Sequence, residues 1–325
     1  MDIRETSAAV NNACAVSTET DRIPAEIGEI HSVAVIGCGL IGTSVALALR
    51  RRGLRIYLHD TDPTAVSAAA GLGAGILGLP PSAVDLTVIA VPPRSIAAVL
   101  ADCQSKGLSR FYTDVASVKS APAREAELFG CDLTTYVGGH PMAGGERSGP
   151  MAAAAELFDD RVWVLTPDVR TRPDALRAVA DLVTRIGART IVMTSTDHDR
   201  AVARTSHVPH LISALLAARL ADADEAVLRL CGAGIRDTTR IAAGNTGLWT
   251  EILRTNGDEI AAVLAEIATD LRTATNALRG DPAQLTALLG RGNAGQAALT
   301  AAMSAPVRTV AGVGAHRQLE ESVSP

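Results

Sequence analysis

An apolar run over residues 31–37 leads straight into Gly37-Cys38-Gly39-Leu40-Ile41-Gly42, and small and apolar residues continue at helical spacing to residue 52. A second apolar run over residues 54–58 ends at His59-Asp60, which puts an acidic side chain about twenty residues beyond the glycines. A lone GxGxxG says little. Set between a strand and a helix, with that acidic residue following, it specifies a βαβ unit of a parallel sheet with a dinucleotide at the helix N-terminus. Gly37 allows the tight turn, Gly39 lets the backbone approach a pyrophosphate, and Gly42 lets helix and strand pack closely, with Leu40 and Ile41 opening the helix between them. Asp60 accepts hydrogen bonds from ribose hydroxyls and repels a 2′-phosphate, so the expected cofactor is NAD.

The same pattern continues. A helix is expected over about 62–72, and the unbroken apolar run over 85–91 reads as a parallel strand buried on both faces. It stops at Val91-Pro92-Pro93, on the carboxyl edge where such sheets bind ligands, so Val91 and Pro92 join the cofactor site. A strand over 110–113 ends in Asp114-Val115-Ala116-Ser117-Val118-Lys119, which brings Ser117 and Lys119 to that rim. Strands over 162–166 and 190–193, with a helix over about 172–186 between them, complete a Rossmann-type doubly wound domain assigned to residues 30–195.

Between them lies Gly138-Gly139-His140-Pro141-Met142-Ala143-Gly144-Gly145-Glu146-Arg147-Ser148-Gly149-Pro150. Five glycines and two prolines in thirteen residues predict a shaped loop after a strand over 134–137, presenting His140, Glu146, Arg147 and Ser148 toward the nucleotide.

From residue 196 the spacing turns helical and Ala-rich, which predicts an all-helical substrate and dimerisation domain over 196–306. Its first helix carries His198 and then Ser206-His207-Val208-Pro209-His210, two histidines on one face beside a proline kink. No carboxylate or cysteine stands at ligand spacing beside them, so no metal is expected. Arg236 and Arg240, four residues apart, repel unless anions lie between them, and arginine holds a carboxylate by two hydrogen bonds. Two Ala-rich helices over about 257–289 offer an apolar surface for a homodimer, followed by a tail over 307–325.

Composition narrows the partners. The net charge is −5 and basic residues form no stripe with interleaved aromatics, so the partner is a small molecule and not nucleic acid. Five scattered cysteines without metal spacing suit a reducing, cytoplasmic setting. No apolar run is long enough to span a membrane, and residues 1–29 read as a flexible polar arm without a signal pattern.

The motifs Gly37-x-Gly-Leu-Ile-Gly, Asp114-Val-Ala-Ser-Val-Lys, Gly139-His-Pro-Met-Ala-Gly, Ser206-His-x-Pro-His and Arg236-Asp-x-Thr-Arg, followed by Leu248-Trp249, resemble in order those of the prephenate/arogenate (cyclohexadienyl) dehydrogenase family, over about residues 31–290. The resemblance implies NAD-dependent oxidative decarboxylation of a cyclohexadienyl ring. It makes His140 the catalytic histidine on the ring 4-hydroxyl, with Ser117 orienting it. Arg240 then pairs with a substrate carboxylate, while His210, Glu146 and Trp249 line or gate the pocket, alongside His207 and Arg236. Gly244-Asn245-Thr246 stands where members commonly carry Ser-Asp-Pro, which leaves 4-amino-4-deoxyprephenate as an alternative substrate.

Two other readings fare worse. Hydroxyacid-type dehydrogenases of this architecture use a lysine in the helical part, and no lysine follows Lys119. A non-catalytic NAD-binding sensor would have a damaged site, yet His140, Ser117 and Arg240 all stand.

Overall fold

The structure, a computed structural model, describes residues 30–145 and 147–304. The expected arm over 1–29, the tail over 307–325 and Glu146 lie outside the described residues.

Eight strands form one sheet: β1 (Ser32–Ile36), β2 (Arg55–His59), β3 (Ile76–Leu77), β4 (Val84–Ile89), β5 (Ser109–Asp114), β6 (Tyr136–Pro141), β7 (Val162–Pro167) and β8 (Arg189–Val192). Their spatial order is β3-β2-β1-β4-β5-β6-β7-β8, parallel throughout except for the antiparallel β6/β7 pair. Helices α1 (Leu40–Arg51), α2 (Pro63–Gly71) and α5 (Pro173–Arg185) belong to this half, as do α3 (Ile96–Ser105) and α4 (Ser120–Leu128). The alternation of strand side chains sorts the core into two layers. Val33, Val35, Leu86 and Val88 join one apolar cluster with α1, α2 and α5, while Ala34, Ile36 and Ile89 join another with α3 and α4. Burial of each such Val, Ile or Leu stabilises by about 1.5–3 kcal/mol, which explains strands written as continuous apolar runs. The sheet order reverses between β1 and β4, so the loops after these two strands flank a crevice on the carboxyl edge.

One sequence expectation is corrected here. Residues 138–141 do not form a loop but complete β6, pairing Gly138 with Thr166, Gly139 with Leu165, His140 with Val164 and Pro141 with Trp163. The glycines serve close packing. A side chain on Gly138 would meet the Thr166 hydroxyl at 2.5 Å, and one on Gly139 would meet the Asp114 carbonyl oxygen at 2.5 Å. Pro141 is tolerated because β6 pairs with β5 only as far as Val137, so its missing N–H breaks no ladder on that side. His140 therefore sits on a buried strand, 8% exposed.

The second half is helical: α6 (Ser195–Val202), α7 (Val208–Ala218), α8 (Glu225–Arg229), α9 (Ala233–Thr239), α10 (Thr246–Thr255), α11 (Gly257–Ala277) and α12 (Pro282–Ser304). The expected disruption near Pro209 is a π-helical turn over Ala203–His207, which runs without a break into α7, where Pro209 is the second residue. The apolar core of this half is small, with Ala203, Val208 and Ile260 at its centre. Large apolar side chains are instead exposed on it, among them Leu230, Leu271, Leu278, Leu289 and Met303, and α12 buries no residue. Among the described residues no helix is long and apolar enough to cross a membrane.

Candidate active site

At the crevice, Gly37 adopts φ +103° and donates its N–H to the His59 carbonyl at 2.8 Å. A side chain there would run into the Ala90 carbonyl, and one on Gly42 would overlap the Gly37 carbonyl. Gly39 is different. A methyl group at Gly39 would meet nothing within 4 Å, and Gly39 caps α1 without any side-chain hydrogen bond or acidic residue in the first turn. The N-terminus of a twelve-residue helix thus faces open space, which fits a pyrophosphate. Half-buried Leu40 and Ile41 follow, with Val91 half-buried and Pro92 exposed on the opposite lip. Asp60 accepts from the Cys38 amide at 2.6 Å and from the Asp62 amide at 2.8 Å, so this carboxylate also braces the glycine turn.

A chain of three side chains starts on β6. His140 Nδ1 lies 2.8 Å from His198 Nε2, and His198 Nδ1 lies 2.8 Å from Asp199 Oδ1. Asp199 in turn accepts from the backbone amides of Lys119 and Ser120, each at 2.8 Å, and so caps α4 from the helical half. Burial, then the neighbouring His198, Lys119 and His207, hold His140 well below the usual histidine range. Burial also lowers His198, with Asp199 acting against it. Burial alone would raise the Asp199 carboxyl, but the hydrogen bonds from His198 and the two amides carry it below its ordinary value.

A buried ion pair supports the strand beneath His140. Lys119 is 2% exposed, and its ammonium donates to Asp114 and, at 2.6 Å, to the Gly139 carbonyl. Asp114 also accepts from the Tyr136 hydroxyl at 2.5 Å and from the Ala116 amide at 2.7 Å. Ser117, half-buried in the same β5–α4 loop, caps no helix, because α4 starts two residues beyond Lys119's predecessor with Lys119 itself at the cap.

In the helical half, the Trp249 ring stacks on His210 at 3.5 Å between centroids and meets His207 edge-on at 6.2 Å. A side chain on Gly244 would collide with the Trp249 indole at 2.6 Å, so glycine at this position is what lets the stack form. Asn245 caps α10 by accepting from the Leu248 amide at 2.9 Å. Buried Asn256 donates to the Asp199 carbonyl at 2.8 Å and lies 3.1 Å from His207 Nδ1, tying the histidine wall to the His140 chain. Burial pushes His207 down to about 4 and lowers His210. Arg240 opens a short 3₁₀ turn, Arg240–Ala243, packed on α7, and both it and Arg236 are exposed. No metal-binding cluster occurs among the described residues.

The structure thus gathers His140 with Lys119, His198 and Asp199, and gathers His207, His210 and Trp249. Reasoning from sequence missed Asp199, Asn256, Tyr136 and the pairing of Asp114 with Lys119. His198 was visible as a histidine, but nothing in its spacing joins it to a residue 58 positions earlier. The signal within reach was Lys119, one of only two lysines in the chain.

Comparisons with known proteins give the family. The prephenate dehydrogenase nucleotide-binding domain matches residues 45–192, and the prephenate dehydrogenase dimerization domain matches residues 194–290. NovF, a probable prephenate dehydrogenase of Streptomyces niveus, is 43% identical over 252 residues, 77% of this chain and 70% of that protein. The chain belongs to the prephenate dehydrogenase family. A cyclohexadienyl dehydrogenase of this family from Zymomonas mobilis is 32% identical over 268 residues, 77% of this chain and 90% of its own. The crystal structure of prephenate dehydrogenase from A. aeolicus, in complex with hydroxyphenyl propionate and NAD+, superposes with a TM-score of 0.75 at 25% identity, covering 84% of this chain and all of that one. As a prephenate dehydrogenase family member, the chain has the expected fold class: a Rossmann-type sheet followed by a helical domain.

Proposed function

We propose that the chain catalyses the oxidative decarboxylation of prephenate, arogenate or both, with NAD as the oxidant. The observation that carries this reading is the buried His140, hydrogen-bonded through Nδ1 on β6, whose following loop brings Gly145 near Leu40 of the glycine turn. Residues 30–195 form the NAD-binding domain and residues 196–306 the substrate and dimerisation domain in this proposal. The apolar side chains exposed on the helical half, together with the match to a dimerization domain, support a homodimer formed through it.

NAD, when bound at Gly37, Gly39 and Gly42 with Asp60 on its ribose, supplies the acceptor for the hydride that leaves ring C4. The protein's part is a loan of one proton. His140 Nε2 takes the proton of the 4-hydroxyl as that oxygen becomes a carbonyl, a contribution of about 10²- to 10⁴-fold for a positioned base. When the ring carboxylate departs as CO₂, its bonding electrons aromatise the ring and His140 returns the proton to the phenolic oxygen. No net proton is released, so the base needs no exit path. Ser117 orients the hydroxyl, Arg240 holds a carboxylate, and His207, His210 and Trp249 form the wall of the pocket, with Arg236 as a further substrate contact.

Replacing Arg240 tests the carboxylate contact. Arg240→Gln raises KM for the ring substrate by about 10- to 100-fold, the worth of a charge-assisted hydrogen bond, and changes kcat less. An unchanged KM in steady-state assays contradicts this placement of Arg240.

A further inference from the structure

A carboxylate only accepts hydrogen bonds, so the contact between His198 Nδ1 and Asp199 requires the hydrogen to sit on His198 Nδ1. In a neutral His198 ring, Nε2 is then a lone pair, and the only hydrogen able to fill its contact with His140 is the one on His140 Nδ1. His140 Nε2 is left bare. Asp199 can dictate this because it is itself fixed, by the Lys119 and Ser120 amides at its oxygens and by Asn256 at its backbone carbonyl.

We propose that His198 and Asp199 are positioning residues that hold His140 in one orientation and one tautomer, Nδ1–H toward His198 and the basic Nε2 toward the substrate hydroxyl. This rests on the proposed role of His140 as the base. The groups that face the pair are Lys119 and Asp114 from the nucleotide half and His207 and Asn256 from the helical half, all buried. Burial, with Lys119, outweighs Asp199 and Asp114 and disfavours a charged His198, which preserves the lone pair on its Nε2. The logic is that of a Ser-His-Asp triad with a second imidazole as the working group. As there, the carboxylate orients and stabilises without taking the proton. Lys119 and Ser120 connect the device to the Ser117 loop, so the same carboxylate that sets the tautomer also sets that loop against the helical half.

Two measurements test it. In full-length protein labelled with ¹⁵N-histidine, His140 should show a pyrrole-like Nδ1 and a pyridine-like Nε2, and Asp199→Asn should shift this toward the opposite tautomer. In steady-state assays, Asp199→Asn should lower kcat by about 10²-fold or more with KM little changed, by analogy with the carboxylate-to-amide change in a triad. His198→Gln, whose amide can donate to Asp199 and accept from His140, should retain activity that His198→Leu loses. A pyrrole-like Nε2 on His140 in the wild type overturns the proposal. So does an Asp199→Asn variant with unchanged tautomer and kcat, or a His198→Leu variant as active as His198→Gln. If the wild type shows the expected tautomer but turns over no ring substrate, the positioning pair stands and the proposed reaction fails.

Discussion

His140→Asn lowers kcat for the ring substrate by about 10³-fold, within the range for loss of a positioned general base, while NAD binding persists. Asparagine keeps a polar group on β6 but offers no lone pair of comparable basicity at the position of Nε2. The pH profile of the wild type carries the same information. Burial, His198, Lys119 and His207 all lower the His140 pKa, so the ring is still unprotonated and basic at pH values where an ordinary histidine is half charged. Activity is lost as pH falls through that lowered pKa. The acid limb of kcat/KM should therefore lie below the ordinary histidine midpoint of about 6.5, with no loss through neutrality. A limb at or above that midpoint, or a His140→Asn variant within threefold of wild type, contradicts the assignment of the base.

The second large effect concerns Lys119. Lys119→Met leaves the fully buried Asp114 facing only the Tyr136 hydroxyl and backbone amides, and should destabilise the fold by about 3–5 kcal/mol in denaturant unfolding. Adding Asp114→Asn should recover a large part of the loss, because the cost lies in the stranded charge and not in the missing attraction. The substitution also reaches the chemistry. Lys119 lowers the His140 pKa, so its removal moves the acid limb of the residual activity toward higher pH. A stability loss under about 1 kcal/mol contradicts the view that this pair holds β5 and β6 in place.

How far the molecule was legible from its residues depended on the range of the interaction. The glycine motif and Asp60 were readable because turn conformation, helix start and acidic residue are local: the positive φ of Gly37 and the close approach of Gly42 to the Gly37 carbonyl arise within one βαβ unit, while their contacts with Ala90 do not. The run around His140 misled, because glycine and proline signal a loop locally. Here they answer to contacts with Thr166, Asp114 and Trp163, which only the folded sheet brings near. The chain from His140 through His198 to Asp199 joins two domains, so no spacing encodes it. The same holds for Asn256, whose side chain bridges Asp199 and His207 across 57 and 49 residues. The aromatic wall was half legible: Trp249 and the histidines stood out, but their stack depends on the absence of a side chain at Gly244.

The most direct test is the initial rate of NADH formation with prephenate, arogenate and 4-amino-4-deoxyprephenate, each with NAD and with NADP, alongside quantification of the aromatic product. Turnover of prephenate or arogenate with NAD is expected, yielding phenolic product and NADH in equal amounts. Turnover of the amino substrate alone, or binding of NAD with no turnover of any of the three, would contradict it.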